Sequence, residues 1–441
     1  MKVLLINPKE TVWSGGTSSI PLGLAYLASS LKQDDHEIRC IDMHVEQNIN
    51  LSDEIRKCDI VGISACTSTV KPAWGIAAVA KGLNKTVILG GPHPTILPEE
   101  SIEKGNADIV VRGEGEETIR DICAGKILEN IPGITFRKKG ETINTPDRPL
   151  IKDIDTIPFP DRGLFKLNGY KSQFHKKNAV TTIFTSRGCP CLCNFCCRIT
   201  FGTTYRMRTP ENVISEWQNI LNSGIEEIHI NDDNFSAVPS RAIEICRLII
   251  EKGLVIPWTA SGGLRVDRVS KELLEIMKKS GCYRVSLGAE SGSQNILDVV
   301  GKKISLQQIK SAVKMCKETG IETLVFFMIG NLGESEKTMQ STIDFAKELD
   351  PDFAQFTIAV PYPGTDLYDY VKKNGKMLVT EWEEFGSYTG KAYFECETVT
   401  KDLIESMFKK AYRSYYMRPK IALKLLSKYK FRILKGFSLI K

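Results

Sequence analysis

Short apolar runs alternating with helical patterns govern how this chain can fold. KVLLI, HEIRCID, DIVGISA, KTVILGG and ADIVVRG fall within residues 1–125, with helices predicted around 21–33, 70–83, 94–104 and 115–123. Runs this apolar leave no wet face, and single helices separate them. Together they specify a parallel, doubly wound α/β sheet. After residue 180 the pattern returns as AVTTIFTS, EEIHINDDN, VIPWTASGG, YRVSLGAE, ETLVFFMIG and FAQFTIAVPY, with helices predicted around 210–223, 240–252, 270–280, 305–319 and 335–349. Six βα units in a row predict a full or partial barrel, with its site at the carboxyl ends of the strands.

A chain of 441 residues exceeds what one core can organise. The expected division is an α/β domain over 1–125, a connector over 126–180, a partial (β/α)6 barrel over 181–375 and a helical C-terminal region over 376–441. The connector holds a hairpin pattern, GITFRKKGETI, and a Pro-rich stretch, TIPFPDRG. There is neither a solenoid-type repeat nor a low-complexity tract.

Composition narrows the class. No stretch reaches the roughly 20 apolar residues of a membrane span. The opening MKVLLINPKE is too short for a signal-peptide core and reads as a first strand. The expected location is therefore cytoplasmic, where clustered thiols signal metal or redox chemistry rather than disulfides. Residues 401–441 carry 12 Lys and Arg against 2 Asp and Glu, while the rest of the chain is slightly acidic. The body thus gives no reason to expect a nucleic-acid partner. In the tail, Pro419 is placed to open a helix, with Ile421 and Leu425, and Lys424 and Lys428, at helical spacing. The favoured reading is a helix packed over the barrel with a solvated basic face. The other is peripheral contact with an anionic membrane or a lipid substrate.

Five of the thirteen cysteines lie in the run CPCLCNFCC, residues 189–197. Cys189, Cys193 and Cys196 form a CxxxCxxC pattern just after the first strand of the second series. Three thiolates can hold three irons of a [4Fe–4S] cluster and leave the fourth iron open. A four-cysteine zinc site would need a second CxxC pair, which the sequence lacks. The segment resembles that of the radical S-adenosylmethionine (SAM) enzymes. That resemblance implies a cluster on Cys189, Cys193 and Cys196 that cleaves SAM to a 5′-deoxyadenosyl radical, with a low-potential donor of flavodoxin or ferredoxin type. Cys191 and Cys197 fall off the pattern and are not expected to be ligands.

Other strand ends are similar to the same family. Asp232, Asp233 and Asn234 follow the second strand, where the SAM amino group would sit. Glu290 and Ser291, in GAESG, match the segment that meets its ribose and carboxylate. Gly330 and Leu332, in GNLGE, match the turn at its adenine. Arg265 ends the third strand and PYPGT follows the sixth. The resemblance covers roughly residues 180–375.

In the first domain the strand ends are Asn7–Ser19 (with Gly15 and Gly16), Ser64–Thr67, Gly90–Thr95 and Arg112–Glu117. A flavodoxin-like sheet binds its ligand there. The absence of GxGxxG argues against a nicotinamide dinucleotide. GGPHPT followed by RGEGEET resembles the cobalamin-binding domain that precedes the barrel in one subgroup of radical SAM enzymes. The implied cobalamin contacts are Ser64, Thr67, Gly90, Gly91, Pro92, His93 and Glu114. The DxHxxG that supplies a histidine ligand after the first strand is missing; Asp42-Met43-His44 follows the second strand and reads as a chance match.

The two resemblances together imply a cobalamin-dependent radical SAM methyltransferase acting on an unactivated carbon of a small molecule or lipid. The alternatives are an oxidative cyclase, like that of magnesium-protoporphyrin monomethyl ester, or a rearrangement enzyme of the same build. A non-catalytic cobalamin or iron–sulfur sensor is a further alternative. An RNA methylthiotransferase is disfavoured, because Cys40, Cys58, Cys66 and Cys123 are too scattered for a second cluster. Tyr362, Tyr205 and Cys197 are candidates, by position alone, for reducing a radical or passing a proton.

Overall fold

The computed structural model describes residues 1–10, 19–170, 175–386, 389–397, 399–421 and 423. The first sheet runs β2-β1-β3-β4-β5-β6-β7. Its parallel strands are β1 (Lys2–Asn7), β2 (Glu37–Asp42), β3 (Ile60–Ser64), β4 (Thr86–Gly90) and β5 (Ile109–Val111). Alternate residues explain the uniformly apolar runs. Val3, Leu5 and Ile60 pack towards helices 22–32 and 116–123, whereas Leu4, Ile6, Val61 and Ile63 pack towards helix 70–82. The order 2-1-3-4-5 is that of a flavodoxin-like sheet. The hairpin read from the connector, β6 (Ile134–Lys138) and β7 (Glu141–Asn144), adds antiparallel to β5 and so extends this sheet. The single helix expected over 94–104 is two, Pro92–Ile96 and Pro98–Glu103. Pro98 forces Leu97 out of helical geometry, to φ −124°.

After β8 (Val180–Ile183) comes a two-residue antiparallel pair, β9 (Ser186–Arg187) and β10 (Arg206–Met207). The second sheet continues with β11 (Glu227–Ile230), β12 (Trp258–Leu264), β13 (Cys282–Glu290), β14 (Glu322–Ile329) and β15 (Phe353–Ile358). Its order is β15-β14-β13-β12-β11-β8, all parallel. On β14, Thr323, Val325, Phe327 and Ile329 are buried while Leu324, Phe326 and Met328 are only partly so. The alternation separates the helix-packed face from the inner one. Hydroxyl caps set the helix starts. Thr209, Ser270, Ser305, Ser335, Thr365 and Thr400 each accept a backbone N–H of the first turn.

The barrel does not close, so two strand edges face outward, and side chains cover both. At β15, Tyr416 Oη accepts the Ala354 N–H at 3.2 Å and donates to the Ala354 carbonyl at 2.6 Å, while Tyr412 Oη donates to the Phe356 carbonyl at 3.0 Å. These tyrosines lie one turn apart on helix Lys401–Tyr416. At β8, Arg162 donates to Thr182 O at 2.7 Å and to Thr181 Oγ1 at 3.1 Å. An exposed edge would otherwise template pairing with another chain. No helix among the described residues is long and apolar enough to cross a membrane. The tail helix read from Lys424 and Lys428 lies outside the described residues.

Replacing Tyr416 by Phe removes both hydrogen bonds to Ala354. It should lower stability by about 1–3 kcal/mol, the cost of buried backbone groups left unpaired. Chemical denaturation checks this, and an unchanged midpoint contradicts it.

Candidate functional site

The carboxyl ends of the second sheet's strands form a mouth around the cysteine loop. That loop leaves β9 and docks on the turn after helix Gln294–Val299. Asn194 N donates to Val300 O at 3.1 Å, and Leu367 N donates to Asn194 O at 3.0 Å. Gly301, at φ +71°, lets the loop approach: a Cβ there would meet Leu192 O at 2.9 Å. Cys193 is buried, Cys189 half-buried and Cys196 exposed. Among the described residues no three ligand side chains converge as they would on one metal ion. A cubane does not require it, since each thiolate takes a different iron. Three soft thiols on one loop fit iron–sulfur chemistry. Burial raises Cys193, and crowding by the loop around Cys196, which is exposed overall, pushes that thiol up to about 11, so cluster assembly must displace their protons.

Charged groups ring the loop. Asp233 reaches solvent at its tip. Crowding of the mouth and the neighbouring Asp232 charge raise its carboxyl, with the Gly188 N–H opposing them. Lys302 Nζ lies 2.7 Å from Glu290 Oε1. Burial disfavours its charge, but the Glu290 carboxylate and the Cys193 thiolate outweigh that and raise it. Arg265 donates to Cys191 Sγ at 2.9 Å and pairs with Asp267 at 2.8 Å. A hydrogen bond from Cys189, then the Arg265 guanidinium, pushes the Cys191 thiol down to about 6 against the effect of burial.

Several residues expected at SAM are engaged elsewhere. The Asp232 carboxylate is buried and accepts Thr185 N at 2.6 Å, Thr185 Oγ1 at 2.5 Å and Ser186 Oγ at 2.6 Å. It ties β11 to the start of the cysteine loop. Asn234 is buried and its carbonyl accepts Tyr205 Oη at 3.2 Å. Ser291 lies 3.1 Å from Thr342 and accepts the N–H of Ser293. The Cα of Gly330 faces helix 401–416, where a Cβ would come within 3.2 Å of Ile404. Leu332 is half-buried beside the core. Glu334, unassigned from the sequence, accepts Gly330 N at 2.7 Å and Asn331 N at 2.9 Å, and burial pushes its carboxyl up to about 8. The mouth proper therefore gathers Cys189, Cys193, Cys196, Asp233 and Glu290. Lys302 is an addition that no sequence pattern marked.

In the first sheet, Ser64 and Gly90 pair across β3 and β4. Gly91, at φ +99°, brings the two loops together: a Cβ would meet Ala65 O at 2.7 Å. Thr67 Oγ1 lies 3.3 Å from His93 Nδ1. Pro92 opens a one-turn helix, and His93 beneath it is fully buried, with Nε2 lacking a hydrogen-bond partner and 3.5 Å from Glu100. Burial lowers its pKa. Trp382 reaches back from beyond the barrel to cover it. Its ring meets His93 edge-on at 5.1 Å, and its Nε1 donates to both Glu100 oxygens at 3.2 Å. His93 thus supports the loop from below rather than presenting its ring to a ligand. Asp42 is held by Tyr170 Oη at 2.9 Å and by the His44 N–H at 3.1 Å, a turn closed on itself. Gly15 and Gly16 lie outside the described residues.

Glu114 corrects the sequence reading. Its buried carboxylate accepts from Arg206 at 2.7 and 2.9 Å, from Arg187 at 2.8 Å and from Ile151 N at 2.9 Å. Both oxygens are spent on guanidinium groups that flank the cysteine loop, so it is not available as a cobalamin contact.

Residues 12–123 match the model of the B12 binding domain, and residues 183–346 that of the radical SAM superfamily. An uncharacterized methyltransferase of Pyrococcus horikoshii is 39% identical, over 96% of this chain and 94% of its own. The cytidylyl-2-hydroxyethylphosphonate methyltransferase of Streptomyces wedmorensis is 30% identical, over 83% and 80%. The anaerobic magnesium-protoporphyrin IX monomethyl ester cyclase of Rubrivivax gelatinosus is 29% identical, over 88% and 73%. Among solved structures, the cobalamin-dependent radical enzyme OxsB, with aqua-cobalamin and SAM bound, superposes with a TM-score of 0.78. It covers 99% of this chain and 71% of its own at 18% identity, a likeness of fold.

Gly301→Ala should push the cysteine loop off its seat and cut the iron and sulfide held after anaerobic reconstitution by about half or more. Gly320→Ala, at φ +69° with open space around its Cα, is the control and should cost stability alone. Equal iron in the two variants contradicts the docking role.

Proposed function

This chain belongs to the cobalamin-dependent radical SAM methyltransferase family, and on that premise we propose that it methylates an unactivated carbon of a small molecule or lipid held between its two sheets. When bound, the cluster, SAM and cobalamin supply radical hydrogen abstraction and a transferable methyl group, which ordinary SAM alkylation cannot offer an sp³ carbon. Cys189, Cys193 and Cys196 hold the cluster in this reading, and their place on one loop at the barrel mouth is the observation that carries it. Asp233 faces the same mouth and binds the ammonium end of SAM. Lys302 and Glu290, paired at 2.7 Å, meet its carboxylate and hydroxyl end. Ser64, Thr67, Gly90, Gly91 and Pro92 line the loops that receive cobalamin, with His93 buried below them as a prop. A reductant of flavodoxin or ferredoxin type completes the electron supply.

The likeness to a cyclase supports one second reading, oxidative ring closure on the same cofactors. Labelled methyl from SAM separates the two. Transfer into product is expected here, and deoxyadenosine formed with an unlabelled, cyclised product would overturn methylation.

Anaerobically reconstituted protein with SAM and dithionite should release 5′-deoxyadenosine, and Cys193→Ala should abolish it. Activity persisting in that variant contradicts the cluster assignment. The adjacent aspartates should separate cleanly. Asp233→Asn is expected to weaken SAM binding about tenfold or more, with an unchanged melting temperature. Asp232→Ala, which breaks three buried hydrogen bonds, should instead lower stability by about 2 kcal/mol or more. SAM titration and thermal unfolding read the pair.

A further inference from the structure

Four buried charges cross from the first sheet to the second. Glu114 and Glu116 follow β5; Arg187 ends β9, two residues before Cys189; Arg206 pairs with Arg187 across β9 and β10. Arg187 grips Glu114 at 2.8 Å and Glu116 at 2.5 Å, and Arg206 grips Glu114 at 2.7 Å. All four side chains are at most 10% exposed. The set is neutral overall and tightly framed. Arg206 also donates to Ile151 O at 2.7 Å and to Phe201 O at 3.0 Å. The Arg187 guanidinium lies 5.2 Å from the Tyr26 ring, on the first domain, and 5.1 Å from that of Phe201, at the end of the cysteine loop.

Buried ion pairs add little net stability over apolar packing, because desolvation offsets their attraction. A planar guanidinium held at both ends does fix direction and distance. Arg187 reaches Glu114 with one terminal nitrogen and Glu116 with the other, and Arg206 reaches Glu114 with one and Phe201 O with the other. Here one end of the network is the loop after β5 of the cobalamin-binding sheet, and the other is the root of the cluster loop. We propose that Glu114, Glu116, Arg187 and Arg206 are positioning residues that set the separation and orientation of the two bound cofactors. The inference rests on the function proposed above, since it presupposes that both cofactors bind. Methyl transfer requires both to address one substrate carbon, and functional groups must be held within about half an ångström. A rigid joint between the two loops meets that demand.

The double variant Glu114→Gln with Arg206→Met removes one positive and one negative charge together, so no lone charge is left buried. Electron paramagnetic resonance of the loaded protein, reduced to cob(II)alamin and [4Fe–4S]⁺, reads the separation through the dipolar broadening of the cobalt signal. The expected result is iron and cobalamin contents within about twofold of wild type, with the broadening cut by about half or spread over many distances. Arg284→Met with Glu322→Gln, a partly buried pair elsewhere in the barrel joined at 2.8 Å, should leave the broadening unchanged. If the double variant does not fold, Arg206→Lys, which keeps the charge and loses the planar group that spans Glu114 and Phe201 O, is expected to show the smaller shift of the same kind. An unchanged signal in the network variants, or an equal change in the control, overturns the proposal. Wild-type protein with a cluster signal and no cobalt signal overturns the cobalamin reading itself, and the proposal falls with it.

Discussion

A parallel strand can be followed only by a crossover, so every strand of a parallel sheet ends on the same side. That constraint decides where chemistry can happen in this protein. In the first sheet it brings Ser64, Gly90, Gly91 and the loop after β5 to one edge. In the second it brings the cysteine loop, Asp233, Arg265 and Glu290 to one mouth. The first sheet is buried on both faces, and the second is covered by helices on its outer face while its inner face is only partly buried. The two sets of strand ends are joined through Glu114 and the paired arginines.

The mouth mixes groups that hold the structure with groups that are free to act. Asp232 and Asp233 are neighbours in sequence, yet the first closes three hydrogen bonds within the barrel and the second faces the thiols. Glu334 serves its own turn, while Glu290 meets Lys302. Burying so many acceptors is tolerable because nearly every one has a donor within reach. The first domain repeats the device. His93 is enclosed by Thr67, Glu100 and Trp382, so that a segment from beyond the barrel stiffens the loop above it.

The strands were legible because their signal is local: Val, Ile and Leu in unbroken runs between turn residues. The cysteine pattern was legible for the same reason, being eight residues long and placed after a strand. What escaped depends on distant partners. Lys302 follows an ordinary helix and matters only because Gly301 admits Leu192. The role of Arg187 depends on a carboxylate 73 residues away. Glu114 sits in a run that looks ligand-binding, and only its three-dimensional neighbours show both oxygens already taken. Helix 401–416, with its Thr400 cap, carries a readable start, but its task of covering β15 lies in tyrosine hydroxyls aimed at another strand's backbone. The hairpin at 133–143 was visible as a hairpin, whereas its attachment to β5 was not.

The open seam between β8 and β15 has a consequence for what this architecture can house. A closed barrel has its circumference fixed by strand number and stagger, so its interior cannot widen without breaking a ladder. Here each lip of the seam is capped separately by side chains, Arg162 on one and Tyr412 and Tyr416 on the other. The girth of the chamber is thereby uncoupled from the hydrogen-bond register. Repacking a helix against one lip would make room for a bulkier guest while every rung of the sheet stayed intact.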